Sequence, residues 1–378
     1  MLRKKIIIFV LIFSYILMIS SFFSYALSAS SAVVMIAGSN EVIFEKNPHI
    51  KMSMASTTKI MTALLAAESE RLDEVVTITD KMIRVEGTSM GLRAGDKLTL
   101  GNIVRGMMLL SGNDAANAVA IYLCGTTEKF SVLMNKRAEE IKMKNTHFVT
   151  PSGLDDDEHY STAYDMALLT CEAMKNPFFR EIVSEYTGKV EYISPESVYF
   201  YKNHNRFLKM YEGACGVKTG FTKKSGRCLV TAVEYGGCLV VAVTLNAPDD
   251  WNDHIALYNE CLGKIKKKSF DDEFNCTIDV YSGVIPLLQA SVKGDVTAFT
   301  CKNEIHTELL TEKYVYAPIE KGEIVGILRL YSGEKLVGEY PVTADENIEV
   351  KELDPSQKGF LYKIKDLFRR FERWLTAA

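Results

Sequence analysis

The sequence predicts an α+β protein, with helices mixed around an antiparallel sheet, followed by a small all-β domain and an amphipathic C-terminal helix. Three observations carry that expectation. Apolar residues recur at helical spacing in several stretches before residue 170. Three alternating segments, 214–222, 227–234 and 238–246, are separated by the short turns 223–226 and 235–237, which makes an antiparallel meander. After Phe270 the composition shifts to short alternating strands with turns at Gly283, Gly294, Ser332-Gly333 and Gly338.

A chain of 378 residues has room for two domains and a full-sized core, and 47% hydrophobic content with mixed charge fits a folded protein. The expected divisions are a leader over 1–30, an α+β domain over 31–267, the β domain over 268–353 and a tail over 354–378. Arg3, Lys4 and Lys5 precede an uncharged apolar run over 6–26, and small residues follow. That is the pattern of a secretory signal peptide, with cleavage between Ala26 and Ala32, so the protein is expected outside the cytoplasm. The run is also long enough to span a bilayer, which leaves an uncleaved N-terminal anchor as the alternative. Without the three cations the net charge goes from −4 to −7. No basic face or binding motif points to a nucleic acid. The eight cysteines show no tight spacing, and several, such as Cys228 and Cys238, sit in apolar runs as small buried residues.

In chain order, residues 31–51 alternate around a Gly38-Ser39-Asn40 turn and predict a β-hairpin. Next comes Ala55-Ser56-Thr57-Thr58-Lys59, followed by Ile60, Met61, Leu64 and Leu65 at helical spacing, so a helix starts near Ser56. Residues three apart share a helix face, which brings the Ser56 hydroxyl within reach of the Lys59 amine. A lysine with a depressed pKa can take the proton that makes serine a nucleophile. The N–H groups of a helix start also suit an oxyanion. Spacing alone does not establish this, because Ser332-Gly-Glu-Lys335 has the same pattern and lies in a hairpin turn. Residues 75–100 read as irregular and strand-rich. A helix over 100–110 stops at Ser111-Gly112-Asn113, and a second begins at Asp114, so a hydroxyl and a carboxamide sit in a short connection between two rigid supports. Helices follow over 127–143 and from Ser161 or Thr162. The first meander strand carries Lys218-Thr219-Gly220, where charge, hydroxyl and a glycine for close approach suit recognition of a carboxylate. A helix after Trp251 closes the domain near Leu262. The tail from Lys358 to Trp374 places its apolar and aromatic residues on one helical face and carries a net charge of +4, as an interfacial membrane helix does. Packing on the protein's own body is the alternative.

Ser-x-x-Lys at 56–59, Ser-x-Asn at 111–113 and Lys-Thr-Gly at 218–220 together resemble the signature of penicillin-binding proteins and serine β-lactamases. Ser-Gly-Asn in the middle, with Pro151-Ser152-Gly153-Leu154-Asp155, His159-Tyr160-Ser161-Thr162-Ala163 and Gly216-Val217-Lys218-Thr219-Gly220-Phe221-Thr222, resembles the low-molecular-mass D-alanyl-D-alanine carboxypeptidases. The likeness covers about 31–265, and the β domain and tail are similar to that family's architecture. It implies a β-lactamase/transpeptidase-like fold and removal of the terminal D-alanine from peptidoglycan stem peptides, with penicillin and other β-lactams as inhibitors. It implies Ser56 as nucleophile, Lys59 as general base and Ser111 as proton relay. Asn113 would hold the substrate amide, and Lys218 and Thr219 the terminal carboxylate. Gly220 would admit the substrate backbone, and the N–H groups of Ser56 and Phe221 would form the oxyanion hole. Lys218 beside Lys59 would also help keep Lys59 neutral. No cofactor or metal is implied, and the six histidines form no ligand-spaced cluster.

The segment 248–254 lacks the arginine that some relatives use beside the carboxylate, and Cys215 near Lys218 reads as a buried filler. A class A β-lactamase would need a Glu-x-x-Leu-Asn segment, which does not occur. A D,D-endopeptidase cutting cross-links uses the same machinery and stays open.

Overall fold

The computed structural model describes residues 27–270, 274–302, 304–352, 359 and 362–365. The chain divides into two compact units, Met1–Ile265 and Lys266–Ala378. Residues 1–26, most of the expected leader, and most of the expected tail over 354–378 lie outside the described residues; Tyr362–Lys365 are helical. Among the described residues no helix is long and apolar enough to cross a membrane.

The first unit is built on a five-stranded antiparallel sheet in the order β2-β1-β9-β8-β7. The hairpin is β1 (Ser31–Ile36) and β2 (Glu41–Lys46), and the short β3 (Val75–Thr77) and β4 (Lys97–Thr99) pair with each other. A two-stranded ribbon, β5 (Thr187–Tyr192) with β6 (Ser197–Lys202), precedes the meander β7 (Ala214–Thr222), β8 (Gly226–Tyr235) and β9 (Cys238–Leu245). The meander and the first hairpin were legible in the sequence because alternation and glycine turns mark them. All six residues of β1 are buried, since helices cover both faces of the sheet. Ala163–Ala173 packs on β1 and β9, and Asp250–Cys261 packs on β1, β8 and β9. Alternation sends Val33, Met35, Val241 and Val243 into the helical core, while Thr231 and Thr244 meet His254 behind the sheet at 2.7 and 3.0 Å.

Within the helical layer, Lys59–Ala67 is the central element. Residues 59–66 are all buried, so this helix is surrounded, in contact with Leu100–Leu110, Asn113–Cys124, Thr127–Glu140 and Ala163–Ala173. Thr99, Thr126 and Thr162 cap the helices that follow them through side-chain oxygens. The sequence reading lacked two short helices, Asp80–Ile83, within the stretch expected to be irregular and strand-rich, and Pro177–Ser184. The signal of the second was present, an Asn176 cap with proline at the first helical position.

The second unit is all-β. A six-stranded sheet, with strands from Asn275–Tyr281 to Lys335–Ala344, encloses Ile278, Leu288, Ala290, Leu328, Leu330 and Val342. Ser332 ends one strand and Lys335 begins the next, so the second Ser-x-x-Lys is a hairpin turn. The α+β class followed by an all-β domain is thus the observed fold class.

Candidate active site

Residues 55–58 form a single 3-10 turn that runs straight into the Lys59–Ala67 helix. Ala55 sits in the left-handed region at φ +48°, which sharpens the turn. A short relay holds it. The Val149 N–H donates to His159 Nδ1 at 2.9 Å, so the ring proton is on Nε2, facing Thr58 Oγ1 at 2.8 Å. The Thr58 hydroxyl in turn donates to the Ala55 carbonyl at 2.8 Å. Burial pushes the His159 pKa down to about 4, which keeps the ring neutral.

The turn presents Ser56, and Lys59 lies beneath it with no exposed surface. Lys59 Nζ is 2.9 Å from Ser56 Oγ, and it donates to Asn113 Oδ1 at 2.8 Å and to the Ser152 carbonyl at 2.7 Å. Burial depresses the Lys59 pKa well below its ordinary value, the charge of Lys218 adds to this, and Asp114 opposes it. The expected help from Lys218 is therefore present, but it is secondary to burial.

Ser111 ends one helix in the left-handed region at φ +61°, and Gly112 caps the next, as the connection between rigid supports required. Asn113 is fixed at both ends of its amide. Its Nδ2 donates to the Glu86 carbonyl at 2.8 Å, and its own N–H donates to the Thr88 carbonyl at 2.7 Å. The segment it holds is pinned by Asp114, whose carboxylate accepts from Ser89 Oγ at 2.6 Å and from the N–H groups of Met90, Gly91 and Leu92 at 2.7, 3.0 and 3.1 Å. Sequence reading took Asp114 only as a helix start; its long-range partners carry no local signal.

The edge strand β7 supplies the third element. Lys218 is 2% exposed and donates to the Thr219 carbonyl at 3.0 Å, and burial pushes its pKa down to about 7. A Cβ on Gly220 would crowd Ala55 Cβ, the Met54 carbonyl oxygen and Ser56 N, each at 3.1 Å, so glycine lets this strand pass close to the serine without pushing them aside. Phe221 is 66% exposed beyond it. Cys215 is half-buried against the helical core, and burial raises its thiol to about 11, as a filler would have it.

A cavity of about 360 Å³ opens over this arrangement. Ser56, Ser111, Thr219, Gly220 and Phe221 line it, so three segments distant in sequence meet at one cavity. Thr88, His204, Arg206, Arg227, Asp250 and Trp251 line it too, and the sequence had singled out none of these for the site. Trp251 comes from the 248–254 segment without an arginine. The arrangement offers a hydroxyl beside a desolvated amine, with cations at the cavity wall, which suits acyl transfer to serine.

Comparison with known proteins agrees. A D-alanyl-D-alanine carboxypeptidase family model matches residues 20–249, and a model of the penicillin-binding protein 5 C-terminal domain matches 271–350. The chain is 31% identical over 347 residues to the D-alanyl-D-alanine carboxypeptidase DacF of Bacillus subtilis, covering 85% of this chain and 86% of that one. The crystal structure of the D-alanyl-D-alanine carboxypeptidase DacD from Francisella tularensis superposes with a TM-score of 0.59 at 26% identity, over 86% of this chain and 95% of that one. PBP3 from Streptococcus pneumoniae reaches a TM-score of 0.74 at 21% identity over 86% of this chain and all of that one, a likeness of fold. With the family model spanning more than half of the chain, this protein belongs to the D-alanyl-D-alanine carboxypeptidase family of serine peptidases.

Proposed function

We propose that this serine peptidase removes the terminal D-alanine from peptidoglycan stem peptides through an acyl-enzyme on Ser56. The surroundings of Lys59 carry the reading. Two of its three neighbours, Asn113 Oδ1 and the Ser152 carbonyl, can only accept. An uncharged amine uses its two hydrogens on them, which aims its lone pair at Ser56 Oγ, 2.9 Å away. The Ser56 O–H then donates to the amine, and Lys59 is a general base in place.

In the reaction Ser56 Oγ attacks the carbonyl of the penultimate D-alanine while its proton passes to Lys59. The N–H groups of Ser56 and Phe221 receive the developing oxyanion. Ser111 relays a proton to the nitrogen of the departing D-alanine, the C–N bond breaks, and Ser56 is left as an ester. Water then adds to the ester carbon and gives up its proton as Ser56 leaves. Lys218 and Thr219 hold the terminal carboxylate, and Asn113 holds the substrate amide. β-Lactams share the amide and carboxylate and acylate the same oxygen.

The protein acts outside the cytoplasm, on the wall side of the membrane. Ser28 Oγ and the Ala29 N–H donate to the fully buried Asp253 carboxylate at 2.7 and 2.9 Å. Leader cleavage before Ser28 keeps both bonds, and the cationic tail from Lys358 holds the protein at the membrane surface. Incubation with a stem pentapeptide and with a cross-linked dimer tests the activity: free D-alanine from the first, with the second left intact, is expected. Cleavage of the dimer alone would make the protein an endopeptidase. Ser56→Ala should lose labelling by fluorescent penicillin and about ten-thousand-fold in kcat/KM; labelling at the wild-type level would remove Ser56 from its role.

A further inference from the structure

We infer that Arg206 is a substrate-binding residue whose guanidinium receives the carboxylate of the terminal D-alanine in the Ser56 cavity. The inference rests on the acyl-enzyme reading above.

The argument starts from the charges around the cavity. Lys218, the cation of the motif, is buried, and burial pushes its pKa down to about 7, so at neutral pH it carries its charge only part of the time. Arg227 also lines the cavity, but its Nη2 donates to Asp250 Oδ1 at 2.8 Å, and the Asp250 side chain is 3% exposed. A buried carboxylate already matches that charge. Arg206 has no ion pair among the described residues, and it is exposed to the cavity.

Trp251 holds both arginines. The Arg206 guanidinium is 5.5 Å from the Trp251 ring centre and the Arg227 guanidinium 5.7 Å from the same ring. Attraction to an aromatic face positions a guanidinium without neutralising it, and its in-plane N–H groups stay available. The backbone beneath is fixed as well. Asn205 Oδ1 accepts from the Phe207 N–H at 3.2 Å, and Phe207 is fully buried, in ring contact with Tyr211, His254 and Tyr258. Arg206 therefore extends from a rigid turn into a cavity that also contains Ser56 and Thr219. A planar fork matches a carboxylate with two parallel hydrogen bonds, and the substrate brings a carboxylate into this cavity. The 248–254 segment contributes the tryptophan that braces an arginine from elsewhere in the chain.

The test follows Ser56 acylation by mass spectrometry, with a penicillin and with its methyl ester, which keeps the ring and loses the carboxylate charge. Arg206→Ala should slow acylation by the penicillin about tenfold and leave the ester rate unchanged, and Arg206→Lys should recover part of the loss. With a peptide substrate the same variant should raise KM and leave kcat close to wild type. If Arg206→Ala melts early, Arg206→Gln keeps the stem over Trp251 without the charge and serves for the same comparison. Equal slowing with both reagents, or no slowing with either, overturns the role of Arg206. A folded wild-type protein that no penicillin acylates overturns the acyl-enzyme reading itself, and this inference with it.

Discussion

Replacing Lys218 by methionine removes an amine that the fold buries at 2% exposure, with the Thr219 carbonyl as its hydrogen-bond partner at 3.0 Å. An unfolded chain protonates this lysine up to its ordinary pKa of 10.5, whereas the folded protein does so only up to about 7. Between those values the unfolded state binds more protons, so stability rises with pH. The difference is worth about 5 kcal/mol at or below pH 7 and vanishes above 10.5. Methionine fills a similar volume and loses one hydrogen bond worth about 1 kcal/mol. Lys218→Met should therefore be about 3–4 kcal/mol more stable than wild type at pH 7, and the gain should shrink to near zero by pH 10. Activity on peptide should collapse, because the carboxylate loses its buried partner. Urea titrations of both proteins at pH 7, 8.5 and 10, followed by intrinsic fluorescence, measure this directly. A variant no more stable at pH 7, or a gain that does not change with pH, would mean that Lys218 stays charged in the folded protein and that the reasoning fails.

Two further predictions concern the supports of the nucleophile turn. Gly153 has φ +84°, and a Cβ there would sit 1.9 Å from the Ala55 carbonyl oxygen, so Gly153→Ala must displace the turn that carries Ser56. A loss of about 3 kcal/mol or more is expected in a thermal melt, together with slower penicillin acylation. Asp114→Ala leaves the N–H groups of Met90, Gly91 and Leu92 without their carboxylate and should cost about 2–4 kcal/mol. Hydrogen exchange at those three amides should accelerate while the sheet amides keep their protection; unchanged exchange would show that the segment is held by something else.

Local periodicity explains what could be read in advance. Ser56 and Lys59 share a helix face because a helix repeats every 3.6 residues, and Ser111-Gly112-Asn113 stands out because glycine and asparagine end helices. Lys218-Thr219-Gly220 stands out because one alternating strand carries a cation, a hydroxyl and a glycine in a row. The same spacing at Ser332 and Lys335 means nothing there, since a hairpin turn places no second motif beside it. The sequence by itself thus determined most of the longer elements, their order and the three motif segments, but not the short helices Asp80–Ile83 and Pro177–Ser184. Tertiary structure decided their chemistry. The acceptors that orient the Lys59 amine come from residues 54 and 93 positions away, and the carboxylate that pins the Asn113 support reaches back more than 20. Arg206 and Trp251 meet only because the fold brings a short 3-10 turn and the start of the Asp250–Cys261 helix together at one cavity. Spacing is written in bond geometry along the chain, whereas desolvation and charge at a site depend on which distant segments exclude water from it.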